Sequence, residues 1–254
     1  MMTMRRPRPA IARLIFVGGI LVLWEVFARL SHVSPILLAP PSKVFAQIFD
    51  IALLRGEVPD FYANALTTIG EVVAAYAITA ALGMLVGIAF ASSKVIGDAF
   101  EPVLLVLYAI PKIILYPVII LILGIGVLPN IVFGVLLGIF VVVFNTTAGL
   151  RQVEPNYIAL ARSVGYGRLA IFIKVVLPAA APTILAGLRL GFGYTVIGVV
   201  TGELLVVNTG LGSLIDWAAV NYHTPELYAL ILITLCIGVA GNSLFSLLER
   251  RWVR

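Results

Sequence analysis

Three ionisable residues stand inside stretches of the chain that are otherwise apolar: Glu71, Lys112 and Glu203. A charge at membrane depth is unfavourable by roughly 2.5–3.5 kcal/mol at a helix centre, so such residues pair with one another or face an aqueous path rather than lipid. Lys112 is a cation that faces an anion pathway or, as the alternative, snorkels to the interface or pairs with an acid. Glu203, about twenty residues beyond Thr183, falls near the outer end of its stretch and suits a gate or a helix pair. Glu71 suits a helix contact, with a pathway role as the alternative. Nucleophilic chemistry has one tempting pair, Ser213 in Gly-Leu-Gly-Ser and His223, but they have no evident third group or oxyanion arrangement. His32 and His223 show no His-Glu-x-x-His or other ligand spacing, and Cys236 has no partner cysteine, so no catalytic residue and no metal site is assigned. The chain also lacks a Gly-x4-Gly-Lys-Ser/Thr phosphate loop and any Gly-Lys dipeptide. No cofactor is therefore expected here, and if ATP drives the process another polypeptide binds it with its magnesium.

These residues require a lipid-embedded frame. Of 254 residues, 61% are hydrophobic and 11% charged, against roughly 45–50% and about 25% in soluble domains. The net charge of +5 comes from Lys and Arg at the ends of apolar runs, with no basic face for nucleic acid. A helix rises about 1.5 Å per residue and the hydrocarbon core is about 30 Å thick. Six apolar stretches fit: residues 10–30, 65–91, 102–123, 128–150, 183–207 and 227–248. The fold expected is all-α, with six transmembrane helices.

Placing the N-terminus inside assigns Arg5, Arg6, Arg8, Lys94, Arg151, Arg162, Arg168, Lys174, Arg250, Arg251 and Arg254 to the cytoplasm, and only Lys43 and Arg55 to outside loops. This asymmetry puts both termini in the cytoplasm of a multi-pass inner-membrane protein. Met1 to about Trp24 also has the basic head and apolar run of a signal peptide. The run continues through Glu25 and Arg29 without a small-x-small cleavage pattern, so an uncleaved first helix fits better. Those two residues are four apart and pair on one helical face. Pro35, Pro40 and Pro41 exclude a regular helix at the start of the first outside segment, and Val44–Leu54 then predicts a short helix on the outer surface. Glycines four apart, at 83 and 87, 134 and 138, 187 and 191, and 198 and 202, predict tight helix packing.

The longest cytoplasmic segment, residues 151–182, begins with Pro155–Val164, a proline-initiated helix with apolar Ile158, Leu160, Ala161 and Val164. Gly165 and Gly167 break it, and Leu169–Leu177 starts another that Pro178 and Pro182 are expected to interrupt. This segment resembles the EAA loop of bacterial binding-protein-dependent ABC permeases: Glu-Ala-Ala, three residues, Gly, nine residues, Ile, one residue, Leu-Pro. Ala159-Leu160-Ala161 opens it, Gly165 falls at the required spacing, Val175 replaces Ile and Leu177-Pro178 closes it without a gap. Ala159 and Leu160 stand where the family carries Glu and Ala, so no ion pair at the loop tip is carried over. Tyr108–Gly126, Ala186–Gly193 and Thr209–Asp216 look like the corresponding stretches of nitrate, sulfonate and taurine permeases.

The resemblance implies a type I importer fold in which residues 1–62 form an N-terminal helix and outside segment, and residues 63–254 the permease core. It implies two cytoplasmic ATPase subunits docking on the 151–182 loop, a second permease subunit, expected to be a copy of this chain, and a periplasmic solute-binding protein. The expected solute is a small anion of the nitrate, sulfonate or taurine kind. The rival readings are a passive channel or secondary transporter, which lacks such a loop, and an intramembrane hydrolase built on Ser213 and His223.

Overall fold

A computed structural model of the chain describes residues 9–30, 34, 36–206 and 209–252. Arg5, Arg6, Arg8, His32, Pro35 and Arg254 lie outside the described residues. The described residues are helical throughout their ordered elements, with no strand. In chain order these are α1 (Pro9–Leu30), α2 (Pro41–Ala52), α3 (Phe61–Ser92), α4 (Lys94–Ala109), a 3-10 turn (Lys112–Leu115), α5 (Tyr116–Leu123), α6 (Val127–Arg151) and α7 (Pro155–Ser163). Then follow α8 (Arg168–Ile171), a π-helical turn (Phe172–Val176), α9 (Leu177–Leu205), α10 (Leu211–Val220) and α11 (Thr224–Trp252).

By length and composition four spans qualify outright: Phe61–Ser92, Val127–Arg151, Arg168–Leu205 and Thr224–Ser243. The pair Lys94–Ala109 and Lys112–Leu123 makes a fifth if its two arms are one span. The 22 residues of α1 reach about 33 Å, with Arg13, Glu25 and Arg29 as its charged residues. The expected six therefore require both α1 and the bent pair.

Two of the expected spans are built differently. The third, expected as one helix over residues 102–123, starts at Lys94 and is broken by an 83° bend. Pro111 has no N–H to continue the ladder and forces Ile110 out of the helical region, to φ −64°, ψ 131°. Pro102, eight residues into α4, leaves its helix unbroken. The fifth was expected to begin after Pro182, yet helix runs unbroken from Arg168 to Leu205. The π turn explains this: widening the ladder immediately before Pro178 makes room for a ring that cannot bond the preceding turn. The stretch Asn208–Glu226, expected as loop, contains α10.

The chain divides into two compact units, Met1–Phe61 with Leu214–Thr234, and Tyr62–Ser213 with Leu235–Arg254. In the first, the expected Glu25–Arg29 pair forms at 2.5 Å. It does more than pair within one helix, because Glu25 also accepts from Ser42 N at 2.9 Å and Ser42 Oγ at 2.8 Å. Two elements of sequence, one apolar and one beginning with Pro41 at a first helical position, are thereby tied by an N-terminal cap on α2. Trp24 packs on Tyr228 with ring centroids 5.7 Å apart. His223 stacks on Trp217 at 5.0 Å, with Glu57 at 3.7 Å.

In the second unit α6 and α9 lie backbone to backbone, because the glycine pairs remove the side chains between them. A Cβ on Gly198 would come 2.7 Å from Gly134 Cα, and one on Gly134 2.7 Å from Val199 Cγ2. Gly83 on α3 similarly receives Val142 of α6, and Gly87 receives Thr146. Val72, Ala75, Phe192 and Val199 form a core cluster between α3 and α9. This close-packed trio holds the ionisable residues in place.

Candidate functional site

Glu203 lies in the last turn of α9 and is fully buried. The chain returns at Gly210, whose φ of 94° lies in the left-handed region, and α10 starts at the next residue. Helix starts leave backbone donors without partners, and three side chains answer them in order. Gly210 N donates to Asn64 Oδ1 at 2.7 Å, Leu211 N to Thr68 Oγ1 at 2.7 Å and Gly212 N to Glu203 Oε2 at 2.8 Å. Thr68 passes its own hydroxyl hydrogen to Glu203 Oε1 at 2.7 Å, so one hydroxyl both accepts and donates. The glycines are needed for space as well. A Cβ on Gly212 would come 2.6 Å from Glu203 Cβ, and one on Gly210 would strike the carboxylate. The Thr209–Asp216 stretch is thus a helix start shaped around one buried acid.

Glu71, three residues beyond Thr68 on α3 and also buried, adjoins Glu203. Its Oε1 accepts from Asn130 Nδ2 at 3.3 Å, while Oε2 has no hydrogen-bond donor. Tyr116, at the start of α5, aims its hydroxyl at both Asn130 Oδ1 (2.5 Å) and Gly202 O (2.8 Å). Glu71 and Glu203 are therefore brought together in one sealed polar node that ties α3, α5, α6, α9 and α10. Thr68, Tyr116 and Asn130 were missed in the sequence. Their only local signal is polar residues in apolar helices, with Thr68 and Glu71 three apart on one face.

Lys112 is placed apart from that node, on the 3-10 turn after the Pro111 break. Its Nζ donates to Tyr108 O at 2.7 Å and lies 4.6 Å from the centre of the Tyr108 ring and 5.1 Å from that of Phe140. Among the described residues no carboxylate is within ion-pair distance of it. Tyr108 in turn meets Phe144 edge-on at 5.8 Å and has the phenol of Tyr194 of α9 as a neighbour. A cavity of about 300 Å³ has Phe144, Leu104, Val143 and Arg151 in its wall. Arg151 is committed to Asp98 and Glu101, each at 3.4 Å. The sequence signal for this collar is Tyr108, one turn before Lys112. Arg189, half-buried in α9, is a further intramembrane cation that the sequence reading passed over.

At the other functional candidate, α7 ends in a Schellman turn: Tyr166 N bonds Ala161 O at 3.1 Å and Gly165 N bonds Arg162 O at 3.0 Å. Gly165, at φ 88°, supplies the left-handed residue that turn needs. Leu160 and Val164 are 65% and 69% exposed, whereas Ala161 is 6% exposed. Ile158 is half-buried and Ala159 exposed. The four apolar residues thus do not share one face, and Ala161 packs inward. Leu177 and Pro178 stand at the head of α9, beside the π turn.

Ser213 is buried and donates its hydroxyl to Gly210 O at 2.7 Å, which uses it in the turn before α10.

Residues 80–254 match the family described as binding-protein-dependent transport system inner membrane component. The chain is 27% identical to the formylaminopyrimidine transport permease of Halalkalibacterium halodurans over 97% of this chain and 96% of that one. It is 29% identical to a putative aliphatic sulfonates transport permease of Bacillus subtilis over 95% and 86% respectively. Its fold is that of a chain of the MetNI methionine ABC transporter, solved facing inward, with a TM-score of 0.64, 17% identity and coverage of 78% of this chain and 100% of that one. Sequence and fold agree, and the chain belongs to the binding-protein-dependent inner-membrane permease family, as a non-catalytic, multi-pass subunit of an ABC importer with the type I fold.

Proposed function

We propose that this permease conducts a small anion, with Lys112 as a contact on the path, and takes its work from a partner ATPase through α7. The observation that carries the anion reading is the Lys112 ammonium, set within the apolar profile of a broken span and held by ring faces, with no carboxylate at ion-pair distance among the described residues. A cation in that setting keeps its charge available to a passing anion, and the relative named for aliphatic sulfonates has an anionic cargo. Glu71 and Glu203 serve this reading as the tie that holds the outer end of the path, since Glu203 is engaged by Thr68 and Gly212 and Glu71 by Asn130.

For coupling, α7 offers an apolar ridge, Leu160 and Val164, one turn apart, suited to a groove on another protein. Gly165 sets the exit angle, Ala161 and Ile158 anchor the helix from behind, and Ala159 takes the place of the family's Glu. Leu177 and Pro178 join this loop rigidly to α9. Residues 63–254 act as the core, with the ATPase dimer, a second copy of this chain and a periplasmic solute-binding protein as partners, and both termini in the cytoplasm. A reporter active only outside, fused after Arg254, then gives no signal.

The test of the anion reading is ATP-driven sulfonate uptake by the complete transporter in proteoliposomes. Lys112→Ala should slow uptake about tenfold, the equivalent of about 1.4 kcal/mol, with assembly intact. Unchanged uptake would make Lys112 a structural lysine.

A further inference from the structure

Tyr108, Phe140, Phe144 and Tyr194 are the groups around Lys112 that the anion reading leaves unused. Tyr108 and Tyr194 are 38% and 40% exposed, though they belong to the membrane-spanning elements α4 and α9. Phenol groups and an ammonium turned outward at that depth are disfavoured against lipid, so this face borders a path or another subunit. The ammonium has three donors, and one is committed to Tyr108 O. The faces of Tyr108 and Phe140 occupy its remaining surface in place of a counter-ion. Such a contact is weaker than a charge-assisted hydrogen bond. An arriving anion can therefore draw Nζ off the rings; Phe140 is only 8% exposed, so the faces left free for whatever the anion carries are those of Tyr108 and Tyr194. Phe144, edge-on to Tyr108, also forms part of the wall of the 300 Å³ cavity with apolar Leu104 and Val143. The one guanidinium in that wall is already paired with two acids, and Lys112 lies outside the wall, joined to it through Tyr108 and Phe144.

We propose that these four rings form, with Lys112, a binding station inside the permease for an anion with an apolar or aromatic body. In this station Lys112 takes the charged head and the rings take the body. The permease itself thereby discriminates between anions with the same head, beyond any selection made by a binding protein. This rests on the anion reading of Lys112 above.

The experiment compares benzenesulfonate with methanesulfonate, which share a head and differ in body. Saturation-transfer NMR titrations on the permease–ATPase complex in nanodiscs, without binding protein, give the affinity of each. Wild type should prefer benzenesulfonate by about tenfold, the scale of one or two aromatic contacts. Tyr108→Leu with Phe144→Leu should bring that ratio close to one, whereas Tyr108→Phe, which keeps the ring, should preserve it. Tyr194→Leu, at an exposed position, is the second variant should the double substitution fail to assemble, and it should lower the ratio two- to threefold. Lys112→Gln should weaken both ligands about tenfold and leave their ratio unchanged. A ratio unaffected by loss of the rings, with both ligands weakened by Lys112→Gln, overturns the station and leaves the anion reading standing. Binding of neither ligand by wild type, or affinities unaffected by Lys112→Gln, overturns both.

Discussion

Glu203 and Lys112 are both ionisable residues in apolar helices, and they stand in opposite circumstances. Glu203 is fully buried and accepts two hydrogen bonds, from Thr68 and Gly212. Lys112 is half-exposed and rests on two aromatic rings without an acid. A residue whose hydrogen-bonding capacity is used up by its own protein holds helices together; one whose charge is met only by polarizable faces is available to a ligand. Intramembrane charge alone does not distinguish these roles, and saturation by partners does.

The largest loss of stability is expected at Glu203. Glu203→Ala orphans the Gly212 N–H, at about 1–3 kcal/mol, and leaves a cavity at a fully buried site, although the Thr68 hydroxyl can turn to Asn64 O at 3.2 Å. Together these should destabilise the protein by roughly 2–6 kcal/mol, read as a fall in thermal unfolding temperature of detergent-solubilised protein. A variant as stable as wild type would remove Glu203 from the node. Thr68→Val keeps the shape but loses the relay between Leu211 N and Glu203, for about 1–3 kcal/mol in the same measurement. Glu71→Gln sharpens the contrast from the other side. Its amide supplies donors beside Glu203, where Glu71 Oε2 has none, so the same melt should be unchanged or shifted slightly upward, and a large loss would show that the carboxylate itself is needed. The smallest stability effect belongs to Lys112→Ala, within about 0.5 kcal/mol of wild type, although it is the variant expected to slow transport.

How much of this was legible follows from range. The twenty-residue apolar rule located α1, α3, α6 and α11 because hydrocarbon thickness acts on every span alike. Proline stands at both 111 and 178, but the 83° break at one and the unbroken passage of helix through the other depend on whether an extended residue or a π turn precedes the ring, which composition does not encode. The node joins residue 68 to 203 and 71 to 130, and such pairings leave no local spacing to read. In α7 the 3.6-residue stripe includes both Leu160 and Ala161, and only packing separates the exposed residue from the buried one. Ala161→Trp therefore probes the seating of α7 rather than its docking face.

With ATP hydrolysed by a partner subunit, the exposed ridge of α7 is the proposed point at which this chain is driven. Leu160→Asp together with Val164→Asp should leave thermal stability unchanged, since both side chains are well exposed. The direct measurement is recovery of the partner ATPase by pull-down with the purified double variant, paired with ATP-driven uptake. Loss of both is the predicted result, and wild-type recovery with normal uptake would contradict it.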